Sequence, residues 1–277
     1  MTILFQSNFF TNVTKVNDSE IVVNSHLLST DYEATGRIRA TTAFTIQEAR
    51  WDIYRSPQGT LNGGSDVPSL IGEEAYLKAG GALKAVGKEQ GDLPKELLAE
   101  CVRGIIQAET YLFKERGFLS QETYEDFWKK NYRNSCRLYS NPERITQSWY
   151  AYIAHRKWGE GLFNRFKTVV VRVQEDGSLF TVGGFADSFH ELGVKLVIAA
   201  GVIKSCTGDF LRAPDPVCVE NVCHLSTVSN LDISTLTKRE LSSHVGGEQG
   251  CCHLLDLLDY TLHAARAIKQ PEVYSDY

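Results

Sequence analysis

The run Thr168-Val169-Val170-Val171-Arg172-Val173-Gln174, then Glu175-Asp176-Gly177-Ser178, then Leu179-Phe180-Thr181-Val182 decides the fold class. β-Branched and aromatic residues crowd both arms and an Asp-Gly step joins them, the pattern of a β-hairpin. Downstream, residues 187–198 alternate well enough for a strand, and residues 202–212 pair back onto it after Ala200-Gly201. Pro214-Asp215-Pro216 ends the sheet, and residues 217–225, 232–245 and 250–269 read as helices. Upstream, Ile21-Val22-Val23 is a strand inside an entry segment spanning residues 1–35. Residues 36–46 form a second strand that continues into 48–55, and residues 56–91 a long loop with one helix near 73–85. Between the strand groups lies a helical block. Asp92 and Pro94 open its first helix, Ser120 caps its second, and Asn141-Pro142 starts a third carrying Trp149 and Tyr152. Strands in two groups, with helices between and after them, predict an α+β fold: an antiparallel sheet packed by C-terminal helices, with an inserted helical block.

The composition is ordinarily globular, with 43% hydrophobic and 23% charged residues, which excludes a disordered or fibrous chain. A net charge of −5 and no Lys/Arg run argue against a nucleic-acid partner. No apolar stretch is long enough to span a bilayer, and Met1 to Phe10 lack the regions of a signal peptide, so the expectation is a cytoplasmic protein off the membrane. Seven cysteines without a C-x-x-C pair read as free thiols or ligands.

The densest chemistry lies where Gly246-Gly247-Glu248-Gln249-Gly250 opens into the apolar helix beginning Cys251-Cys252-His253. Unpaired N–H groups and the positive end of the helix dipole favour a thiolate or an anion there. Cys251 shares a face with Leu254, Leu255, Leu258 and Leu262, so it is either a small hydrophobe or an activated nucleophile. His253 is either a packed ring or a neutral base or ligand. His190 is a strand-edge histidine or a metal ligand, with Asp187 or Glu191 orienting it. Arg212 either clamps an anion or pairs with Asp209 or Asp215, and Arg39 carries the same two readings. Cys206, Cys218, Cys223 and Cys251 suffice in number for a cluster, but their spacing matches no motif. Cys252, Asp256, Asp259 and His263 form a stripe of the kind that usually faces solvent. The aromatic stripe with Trp128 and Tyr132 is a packing surface, a dimer face, or the roof of an apolar pocket over the histidines.

Three short motifs, Asp187-Ser188-Phe189-His190-Glu191-Leu192, Arg212-Ala213-Pro214-Asp215-Pro216-Val217-Cys218 and Gly250-Cys251-Cys252-His253-Leu254, together resemble the bacterial domain-of-unknown-function family 2889. Arg37-Ile38-Arg39 and Trp51-Asp52-Ile53 resemble that family's opening strands. Leu192 stands where the family has Met, and Cys252 where it has Thr. The resemblance covers about residues 36–60 and 167–268. It implies one α+β domain over residues 1–277, with those two stretches as core and residues 61–166 as an inserted lid or subdomain. It implies no reaction.

Taken together, the expected function is an enzyme acting on a small aromatic or apolar carbonyl or carboxylate compound, by metal-assisted hydrolysis or carbon–carbon lyase chemistry. His190, His253 and Cys251 are the candidate catalytic residues, and Arg212, Arg39, Trp128 and Tyr132 the candidate substrate contacts. His190, Glu191 and His253 would hold a divalent zinc, iron or manganese ion. The alternative is a non-catalytic small-ligand, metal or cluster-binding protein built on the C-terminal Cys and His residues.

Overall fold

The computed structural model describes residues 1–57, 59–154, 156 and 159–268. Its centre is one sheet of nine strands: β1 (Thr2–Lys15), β2 (Glu20–Ser29), β3 (Glu33–Thr41), β4 (Ile46–Arg55), β5 (Gly63–Asp66), β6 (Gly161–Val173), β7 (Leu179–Asp187), β8 (Glu191–Ala199) and β9 (Val202–Arg212). Their spatial order is β5-β4-β3-β2-β1-β6-β7-β8-β9, and all the pairings are antiparallel. The helices are α1 (Gly80–Gln90), α2 (Asp92–Ala108), α3 (Gln121–Asn131), α4 (Arg137–Ser140), α5 (Trp149–Ile153), α6 (Pro216–Val219), α7 (Lys238–Val245) and α8 (Cys252–Ala267). The α+β class and the antiparallel sheet are as the periodicity predicted. Lys269, the expected last helical residue, lies outside the described residues. No helix among the described residues is long and apolar enough to cross a membrane.

The β6–β7 hairpin turns where Asp-Gly predicts. Gly177 takes φ 79°, and Asp176 Oδ1 accepts from the Ser178 N–H at 3.0 Å. The entry segment, by contrast, is no entry segment. Its residues form two of the longer strands, and β1 lies at the middle of the sheet. Hydrophobic alternation hides β1 because its inward positions mix Ser7 and Thr11 with Phe9 and Val13, all buried.

The sheet is built of two copies of one unit, which the sequence reading missed. One constant shift in residue number carries the β1–β2 pairing Lys15–Ile21 onto Val173–Leu179, and the β2–β3 pairing Leu28–Glu33 onto Ala186–Glu191. With one residue fewer in the next turn, Glu33–Arg55 falls on Glu191–Arg212. Both bulges of β3–β4, at Glu33/Ala34 and Arg39/Ala40, recur in β8–β9 at Glu191/Leu192 and Val197/Ile198. A long helix closes each copy on the same face of the sheet: α2 in the first, α8 in the second. Leu97 and Cys101 of α2 sit against Ser25, and Leu257 and Thr261 of α8 lie beside Gly183, the counterpart of Ser25. The copies meet antiparallel along β1 and β6.

Residues 61–166 are therefore not one insertion. Their first part, through α2, completes the N-terminal copy and its core. Residues 109–160 lie outside both copies and carry α3, α4 and α5 over the C-terminal copy, while β5 is an extra edge strand beside β4 with no counterpart in the second copy. Two clasps hold this roof down: Arg137 Nη2 to Glu220 Oε2 at 2.6 Å, and Thr146 N and Oγ1 to Asp215 Oδ2, both at 2.7 Å.

Candidate functional site

Asp187 ends β7 and its carboxylate organises the turn into β8. Oδ1 accepts from the backbone N–H groups of Phe189 at 2.8 Å and His190 at 2.7 Å, and meets His190 Nδ1 at 3.1 Å. Oδ2 lies 3.4 Å from Arg165 Nη2. Burial alone would raise this carboxyl, but His190 and Arg165 outweigh it and hold Asp187 well below the ordinary carboxylate range. An ionised Asp187 only accepts, so His190 carries a hydrogen on Nδ1, and in the neutral ring the lone pair then lies on Nε2.

His253, in the first turn of α8, stacks on His190 with ring centroids 3.9 Å apart and planes 30° apart, and its other face meets Phe185 at 5.5 Å. Burial, reinforced by His190, pushes the His253 imidazole down to about 3, so the ring is neutral at neutral pH. Cys251 caps the same helix and donates its backbone N–H to Val245 O at 2.8 Å. Its thiol is pushed up to about 12 by burial, so desolvation beats the helix dipole and the thiolate expected there does not form. Cys252 Sγ, on the exposed side of the same turn, lies 3.7 Å from His253 Nδ1.

These groups floor a cavity of about 210 Å³. Its walls come from the roof: Tyr124, Trp128, Tyr132, Tyr139 and Trp149, with Cys136 and Cys218 completing four thiols around it. Trp128 and Tyr132 stack at 3.9 Å and 10°. Behind this wall the buried Glu109 accepts from Tyr76 Oη at 2.8 Å, Trp128 Nε1 at 3.2 Å and Arg116 Nε at 3.1 Å, which ties the roof to the end of α2.

Residues 173–266 match a protein family of unknown function, DUF2889. The resemblance read from the three motifs therefore holds over that span, while residues 36–60 fall outside it. No curated protein matches the chain. The DUF2889 span runs from the end of β6 through most of α8. It contains Asp187, His190, Cys251 and His253 but not the roof, nor Arg165, which fixes Asp187 from β6.

The residues expected at the site separate. His190, His253 and Cys251 come together at the cavity floor, and Trp128 and Tyr132 cover them from the roof. Glu191 does not join them. It follows His190 on the strand, its side chain is half exposed, and it lies 4.0 Å from Arg212 Nε. Arg212 is spent on the turn, with Nη2 donating to the carbonyls of Asp187 at 2.7 Å and His190 at 3.2 Å. Arg55, its counterpart, donates to Ser29 O at 2.7 Å and Tyr32 O at 3.3 Å, so the clamp is a device of the fold. Arg39 lies in the other copy, paired with Glu20 at 2.7 Å and Glu48 at 2.6 Å.

Among the described residues, Asp187, His190 and His253 are the potential metal ligands that converge, their atoms within 4.8 Å of one another. The arrangement does not fit an ion well. Asp187 Oδ1 already meets three donors, and rings stacked face to face send their in-plane lone pairs along nearly parallel lines. One ion at about 2.0–2.1 Å from each nitrogen would require a ring to turn.

Sequence reasoning missed Arg165, Lys167 and Glu109. For the first two a signal existed: both fall on the inward face of β6, in alternation with Phe163 and Val169.

Proposed function

We propose that the cavity binds a small, largely aromatic or apolar molecule and that the Asp187–His190 pair moves a proton there, beside a neutral His253. The observation that carries this reading is the hydrogen bond from His190 Nδ1 to Asp187 at 3.1 Å. It leaves Nε2 as the proton acceptor of a ring lining the cavity, and the imidazolium formed on proton uptake has an anionic carboxylate to stabilise it. An aromatic roof thins out water, which strengthens that electrostatic support. Such a base serves hydrolysis, by taking a proton from water, or carbon–carbon cleavage, by taking one from the ligand. Burial holds the Cys136, Cys218 and Cys251 thiols protonated, so none of these three is a ready nucleophile. That same fact favours the second reading, a binding protein that uses this cavity without turnover.

The test is turnover of a panel of single-ring esters and carbonyl compounds by chelator-treated protein. Activity that survives the chelator and falls by about 10²–10⁴-fold in His190→Gln supports proton transfer by His190. Activity that returns only with zinc, iron or manganese, or that is unchanged in His190→Gln, sinks it. Binding without turnover selects the second reading.

A further inference from the structure

The charge of the lining restricts what the cavity can hold. Among the described residues that line it, the fixed charges are Lys129 and Glu125, which pair with each other at 3.4 Å. The arginines expected to hold a carboxylate are absent from the lining, since Arg212 clamps the turn and Arg39 is in the other copy. Two carboxylates stand close behind the walls, each already paired with an arginine: Asp187 with Arg165 under His190, and Glu109 with Arg116 behind Trp128 and Tyr124, so neither arginine is free for a ligand. A carboxylate brought into this space would be desolvated with no free cation to meet it, at a cost of several kcal/mol.

At the floor, the neutral His190 ring presents the Nε2 lone pair as an acceptor, beside the His253 ring and the weakly donating thiols. Size agrees: an apolar cavity of about 150 Å³ already accommodates benzene, so 210 Å³ has room for one ring with small substituents.

From these observations we infer that the ligand is an uncharged single-ring aromatic bearing a hydroxyl, a phenol or an aromatic alcohol, whose O–H donates to His190 Nε2 while its ring lies against the Trp128–Tyr132 wall. The inference rests on the cavity being the small-molecule site, and it replaces the carboxylate ligand expected from the sequence.

Three probes of similar size separate the possibilities by titration calorimetry on the full chain: phenol, anisole and benzoate. Phenol is expected to bind about three- to tenfold tighter than anisole, the worth of one hydrogen bond, and at least about tenfold tighter than benzoate. In His190→Leu the preference of phenol over anisole should vanish, and Trp128→Ala, a change on the opposite wall, should weaken phenol and anisole together. Benzoate binding as tightly as phenol, equal binding of phenol and anisole to the parent, or a preference that survives in His190→Leu each overturns the ligand class while leaving the cavity reading intact. No heat from any probe at millimolar concentration overturns the cavity reading itself, and the ligand class with it.

Discussion

The two copies of the strand–helix unit share a skeleton and differ in chemistry. At the turn between their second and third strands, Ser29 Oγ accepts from Tyr32 N at 2.8 Å where Asp187 Oδ1 accepts from His190 N at 2.7 Å. The carbonyl of the fourth turn residue closes both loops at 2.8 Å, and an arginine clamps both from the end of the fourth strand. The ionisable side chains are what change. Tyr32 stands for His190, Leu93 for His253, Ser7 for Arg165 and Phe9 for Lys167. What both copies keep is what the fold needs. The groups without a like counterpart gather at the cavity, or in the buried charges that link Asp187, Arg165, Lys167 and Asp256 of the C-terminal copy to Glu100 of α2. A buried ion chain contributes little net stability when complete and costs much when broken.

The largest expected effect follows from that chain. Arg165→Met leaves Asp187 and Glu100 facing each other's charge without their guanidinium, and should destabilise the protein by about 3–5 kcal/mol. Ser7→Ala, at the matching position, should cost no more than about 1.5 kcal/mol, the worth of its hydrogen bond to Tyr260. Urea unfolding of both variants measures the contrast, and equal losses would break the idea that the buried ion chain runs through β6 and not through the matching positions of β1.

Converting the C-terminal turn into its partner comes next. The double change Asp187→Ser with His190→Tyr keeps the turn's side-chain acceptor, so the protein should fold. Phenol binding, however, should fall by about tenfold or more, since one lost hydrogen bond already accounts for most of that factor. Calorimetry on the double variant checks it, and unchanged affinity would detach the turn from the cavity's function.

The two arginine clamps should behave alike. Arg55→Ala and Arg212→Ala are each expected to cost about 1–2 kcal/mol, as charged hydrogen bonds to carbonyls are lost. A thermal-unfolding comparison in which Arg212→Ala keeps parental stability but loses ligand would return Arg212 to the binding site.

A further contrast between the copies concerns pH. The folded-state value of His253 lies near 3, below the ordinary value of 6.5 in the unfolded chain, so the unfolded state takes up more protons between them. Stability from this residue is complete above about 6.5 and declines as pH falls toward 3. The urea midpoint should therefore drop on acidification across that window, and His253→Leu, which installs the residue of the other copy, should flatten the slope. A slope unchanged in His253→Leu would mean another group governs it.

Residue patterns alone were enough for the α+β class, the β6–β7 hairpin, and the helix starts at Asp92 and Ser120, because each depends on neighbours a few positions apart; they left Asp187 and Glu191 both open as partners of His190. They also pointed to His253 and to an aromatic roof. The duplication stayed hidden because pairing register, not side-chain identity, is what the copies share: Trp51-Asp52-Ile53-Tyr54-Arg55 falls on Gly208-Asp209-Phe210-Leu211-Arg212, with two of five residues unchanged. Only the tertiary structure could decide that Arg212 is consumed by backbone carbonyls, that burial keeps Cys251 a thiol, and that Arg165 and Glu109, far apart in sequence, support the floor and roof of one cavity. Those outcomes depend on desolvation and on contacts between distant segments, and neither is set by local spacing along the chain.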